Sequence, residues 1–201
     1  TVTSAGTYTG VYGTLIIAAN GEYTYMLNED LAAVNALDAG QTLVESFAYT
    51  ISDGLLSVPS TLTITVFGTN DAPTIGAATA RISEEGLVTG IADADPDAAL
   101  DTTNNATVIG VLAIGDLDAG ETLTATLGDP GTALTAGGVP VTWTGIGTGT
   151  LVGSAGGNEV IRVTLASNGA YTVSLSRAVD HPIVALEDLK EFTVPLSVFD
   201  G

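Results

Sequence analysis

The chain has 201 residues, 23 acidic and 4 basic, with one His, no Cys and a formal charge of -19. So acidic a surface excludes nucleic acid and anionic membranes as partners, because phosphate binding needs Lys and Arg. The missing Cys excludes disulfides, thiolate metal ligands and a cysteine nucleophile. A mean hydropathy of +0.41 and 45% hydrophobic residues distinguish it from a disordered acidic tail, which lacks apolar residues. No apolar run approaches the ~20 residues of a membrane-spanning helix.

Starting from the N-terminal end, Asn20-Gly21 marks the first turn, and Asn28 caps a two-turn helix predicted over 28–37 that ends near Gly40. Phe47–Ser52 and Thr61–Val66 alternate apolar and polar residues, with Asp53-Gly54 between them. Ala72-Pro73 closes this part, because Pro stops a strand and stiffens the connection to the next one. Alternation resumes in Thr122–Leu127, Ile161–Leu165 and Tyr171–Leu175, with Asn168-Gly169 between the last two. A short acidic turn over 183–189 precedes Val194–Val198 and a final Asp200-Gly201. Period-two alternation gives strands with one buried and one wet face, and Asn-Gly and Asp-Gly are strong hairpin signals. The predicted fold is all-β, a sandwich of short strands.

An internal repeat organises these elements. Asn20-Gly21-Glu22-Tyr23-Thr24-Tyr25-Met26-Leu27 matches Asn168-Gly169-Ala170-Tyr171-Thr172-Val173-Ser174-Leu175, and each copy runs on to a strand ending in Asp-Gly. Two copies predict two modules: residues 1–68, a linker over 69–73, and residues 74–201. The first copy has a closing strand, Pro59–Phe67, after its Asp-Gly turn. The second module is expected to lack that last strand, and the first to lack its N-terminal part, as in a piece of a longer chain.

Tyr12-Gly13-Thr14-Leu15 followed by Asn20–Tyr25 is similar to the VCBS repeat of giant bacterial secreted adhesins. So are Ala33–Leu43, Phe47–Gly54 and Gly68-Thr69-Asn70-Asp71-Ala72-Pro73, so the likeness spans residues 12–73. The second module resembles a longer relative from the same repeats-in-toxin (RTX) adhesins. The resemblance implies tandem immunoglobulin-like or cadherin-like Greek-key β-sandwich modules, with neighbouring repeats of the same chain as partners. It also implies type I secretion to the cell surface and Ca²⁺ at module junctions.

The residues themselves point to a hard cation. Ca²⁺ takes six to eight oxygens from carboxylates, amides and backbone, and closely spaced Asp residues aim two carboxylates at one ion. Asn70 and Asp71 in the linker, Glu84 and Glu85, Asp93 and Asp95, and Asp116 and Asp118 form the candidate ligand set. The nonapeptide Gly-Gly-x-Gly-x-Asp calcium repeat is absent: Gly137-Gly138 and Gly156-Gly157 lack the Asp. His181, the sole His, has no Gly-x-Ser-x-Gly elbow to serve and reads as a loop residue. With 5% aromatic residues, stacking rings for a sugar cleft are scarce, and Trp143 reads as core. The Thr rows of 61–65 and 122–126 read as exposed strand faces.

No catalytic residues are expected. The function expected is a calcium-stiffened structural extender of a secreted adhesin, supporting cell adhesion and biofilm formation. The alternative is a module that binds a glycan, peptide or surface ligand through the Gly/Thr-rich stretch 129–157.

Overall fold

The computed structural model describes residues 1–88, 105–181 and 190–201. Asp93, Asp95 and the turn expected over 183–189 lie outside the described residues. The chain is all-β, and it divides into two units: residues 1–72 with 116–120, and residues 73–115 with 121–201.

In the first unit, β1 (Gly6–Thr9), β2 (Gly13–Ile17) and β3 (Tyr23–Leu27) form an antiparallel sheet in that order. A four-residue helix, α1 (Ala32–Asn35), leads to β4 (Thr42–Ser52) and β5 (Ser57–Phe67), which pair along all eleven residues. Buried Leu15 and Ile17 of β2, Phe47 of β4 and Val2 join the two sheets. Tyr8 and Tyr25 meet Phe47 edge-on, with ring centroids 6.5 and 6.2 Å from it, the arrangement aromatic quadrupoles favour.

The helix is shorter than the predicted 28–37, and its N-cap is Leu31, with no side-chain cap. Asn28 is spent elsewhere: its Oδ1 accepts the Asp30 N–H at 3.2 Å. An Asn that bonds its own downstream backbone makes a turn in place of a helix start.

The second unit opens with β6 (Thr74–Ile75), a single 3₁₀ turn at Glu84–Gly86, β7 (Thr107–Val111) and β8 (Ile114–Gly115). β9 (Thr124–Leu127) comes next, then a small hairpin of β10 (Thr135–Ala136) and β11 (Val139–Pro140). Then come β12 (Thr142–Thr144), β13 (Thr150–Ala155), β14 (Asn158–Leu165) and β15 (Ala170–Leu175), and β16 (Leu196–Phe199) is last. The main sheet has the order β12-β13-β14-β15-β7; β9 pairs with β16 and β6 with β8. Leu151, Val163 and Leu165 of the main sheet pack on Ala125 and Leu127 of β9, which makes a second sandwich. The Gly/Thr-rich stretch 129–157 carries β10 to β13 with loops between them. Trp143 packs in this core, its ring 5.7 Å from Phe192.

The two Asn-Gly turns are built alike. Gly21 N–H bonds Ala18 O at 3.0 Å and Gly169 N–H bonds Ala166 O at 2.9 Å. Asn20 and Asn168 each accept, through Oδ1, the N–H two residues on. Only the Gly takes a positive φ, +93° at Gly21 and +84° at Gly169. With Asn-Gly at the centre, a type I′ turn would need φ above zero at both residues and a type II′ turn at the Asn, so each hairpin is instead a normal turn ending in one left-handed Gly.

Candidate cation site

Asp118 is the one buried charged residue among those described, 6% exposed. It is held by its own loop: Asp118 N–H donates to Asp116 Oδ1 at 3.0 Å, and Ala119 N–H donates to Ala36 O at 3.2 Å. Its Oδ2 accepts the Asp71 N–H at 2.5 Å. Asp118 Oδ1 and Asp116 Oδ2 are buried with no hydrogen-bond partner. A carboxylate oxygen sealed from water without a donor is costly unless a cation supplies the missing charge.

The surroundings supply none from side chains. Residues 1–72 and 116–120 contain no Lys, Arg or His. Asp38 instead brings a second carboxylate, with an oxygen within 4.8 Å of one of Asp118's. Two like charges at that separation raise each other's cost. A divalent ion is the chemical group that reverses the sign of that interaction, and oxygen donors alone suit Ca²⁺ or Mg²⁺ rather than a soft metal. In the second unit, Glu121 and Asp200 likewise have carboxylate oxygens within 4.8 Å of each other.

Of the residues expected from sequence, Asp71, Asp116 and Asp118 thus meet, with Asp71 contributing its backbone N–H. Asn70 is exposed and its Nδ2 donates to Asp71 O at 3.3 Å. Glu84 is engaged by Val179 and His181 and Glu85 by Ser83, while Glu85 Oε1 is itself buried with no hydrogen-bond partner. Glu84 Oε1 accepts the Val179 N–H at 2.6 Å and lies 3.2 Å from His181 Nε2. Glu85 N–H bonds Ser83 Oγ at 3.1 Å and its Oε2 accepts the same hydroxyl at 3.2 Å, capping the 3₁₀ turn. Asp93 and Asp95 lie outside the described residues.

Asp38, Glu121 and Asp200 stand outside the set expected from sequence. Asp38 reads in sequence as a helix-ending residue before Gly40, and Asp200 as half of a turn. Nothing local marks either as facing another carboxylate. The pairing depends on which segments the fold brings side by side.

A comparison of the sequence with protein-family models and with curated proteins returns no match.

Proposed function

We propose that this chain is a structural extender segment of a secreted bacterial surface adhesin, stiffened by calcium and supporting adhesion and biofilm formation. The observation that carries the reading is the Asp118 carboxylate, buried with an unpartnered Oδ1 beside Asp38 in a unit devoid of basic side chains. Repetition of one β-hairpin in two sandwich units supports it, since repeated modules contacting mainly their neighbours suit a spacer. The VCBS-like motifs of residues 12–73 supply the adhesin and type I secretion parts of the proposal. Among the described residues no helix is long and apolar enough to cross a membrane.

In this mechanism Asp118 and Asp38 donate carboxylate oxygens to the ion, and Asp116 holds the Asp118 backbone in place. The Asp71 N–H on Asp118 then couples the expected linker to the site. An ion there supplies positive charge to an acidic pocket, and no residue need do covalent chemistry.

Calcium binding at roughly 10⁻⁴–10⁻³ M is usual for extracellular modules. At free calcium about tenfold above Kd, one site adds ~1.4 kcal/mol of stability. The expected result is a rise in Tm on adding millimolar CaCl₂ beyond that from NaCl of equal ionic strength. Asp118→Asn abolishes the extra rise while remaining folded. An equal rise with both salts, or an undiminished one in Asp118→Asn, overturns the site.

A further inference from the structure

The connection between β8 and β9 is divided between the units. Its residues 116–120 belong to the first unit, whereas the strands on either side belong to the second. Glycines bracket this segment. A Cβ at Gly115 or Gly120 would meet nothing within 4 Å, and Gly120 has a left-handed φ of +92°. Such positions absorb changes in φ and ψ at little steric cost.

What holds the segment in place is polar. Leu117 is 64% exposed and Ala119 is exposed too, so no apolar side chain of the segment is buried. Among the described residues, two hydrogen bonds tie it to the rest of its unit: Asp71 N–H to Asp118 Oδ2 and Ala119 N–H to Ala36 O. The bond from Asp118 N–H to Asp116 Oδ1 is internal to the segment. Its one buried side chain is the Asp118 carboxylate, which goes in beside Asp38 with Oδ1 unpartnered. Two hydrogen bonds contribute modestly net of water. Burying a carboxylate next to another, in a unit without basic side chains, costs more, and ordering the backbone adds to that cost. A cation between the carboxylates reverses the balance.

We infer that residues 116–120 form a strap whose docking on the first unit is switched by a divalent cation. With the ion at Asp118 and Asp38 the strap is closed; without it the strap opens about Gly115 and Gly120. The inference rests on the proposed cation site and adds the regulation of that site. The ion binds the closed strap and not the open one, so binding and closure are a single linked equilibrium. At free calcium about tenfold above Kd, the ratio of closed to open strap rises about tenfold.

The test follows amide hydrogen exchange by NMR in the whole chain, in EDTA and in millimolar CaCl₂ at matched ionic strength. In EDTA, the Ala119 and Asp71 amides are expected to exchange without protection while those pairing β4 with β5 stay protected, so that the strap opens in a folded unit. Exchange at Ala119 and Asp71 slows about tenfold once free calcium stands about tenfold above Kd. Asp38→Asn removes the like charge and keeps both strap bonds, and its Ala119 amide is protected in EDTA. Equal protection of Ala119 in EDTA and in calcium overturns the inference, and the cation site survives that result where the calcium-specific rise in Tm is present. An Asp38→Asn variant whose Ala119 amide still needs calcium for protection overturns it as well. Should Tm and exchange both ignore calcium, the cation site falls and the strap switch falls with it.

Discussion

Glu45 shows how much one side chain organises in the first unit. Its Oε2 accepts the N–H groups of Val11 and Tyr12, at 2.7 and 3.3 Å, and its Oε1 accepts the Tyr25 hydroxyl. A residue of β4 therefore fixes the β1–β2 turn and a β3 side chain of the facing sheet. Burial, then the hydrogen bond to Glu45 and its negative charge, raise the Tyr25 pKa well above the ordinary value near 10. The protonated phenol is thus favoured by folding. Its contribution is complete below about pH 10 and is lost as pH rises toward the folded-state value. Urea denaturation between pH 9 and 11.5 is expected to show falling stability in the wild type and a flatter profile in Tyr25→Phe. At pH 8 that variant is less stable by about 1 kcal/mol, a bond to a charged acceptor discounted for partial exposure.

Among the elements, the two Asn-Gly turns have the same bonds and different neighbours. Gly21 has open space where a Cβ would project, whereas at Gly169 a Cβ would strike the Leu112 carbonyl just past β7. Both positions also need a left-handed backbone, which costs a residue with a Cβ roughly 1–2 kcal/mol. Gly21→Ala is expected to lower stability by about 1 kcal/mol and Gly169→Ala by about 3 kcal/mol or more, measured by chemical denaturation. Equal losses would mean that β7 does not lie against this turn. The Asp53-Gly54 hairpin shows the same economy. Asp53 Oδ1 accepts the N–H groups of Leu55 and Leu56, both at 2.9 Å. Those two bonds, Leu56 first, lower its pKa, so the turn keeps its anchor until pH falls below the ordinary aspartate range.

Over the full chain the charge is uneven. Arg81, Arg162, Arg177 and Lys190 all belong to the second unit and none to the first. Like-charge repulsion in the first unit is met only by solvent ions, and its range shrinks from about 30 Å at 0.01 M salt to about 10 Å at 0.1 M. Trp143, the sole Trp, lies in the second unit's core and reports on that unit alone. Raising NaCl from 0.01 to 0.5 M is expected to move the far-UV circular dichroism transition upward more than the Trp fluorescence transition. Equal shifts would show that the basic-free unit is no more salt-dependent than its neighbour.

The all-β class, most of the strands and both Asn-Gly hairpins are legible in the amino-acid order alone. They come from alternation and turn chemistry, which act over a few residues and read directly along the chain. The same reading overextends the helix at Asn28, because one Oδ1 chooses locally between capping and closing a turn. It names Asp71, Asp116 and Asp118 from their spacing, yet places Glu84 in the same set, although that carboxylate serves Val179 and His181. Tertiary packing, and nothing local, puts Asp38 beside Asp118 and buries Asp118. Both depend on residues far apart in sequence meeting through the packing of segments, and the local pattern around Asp38 carries no trace of the segment that stands opposite.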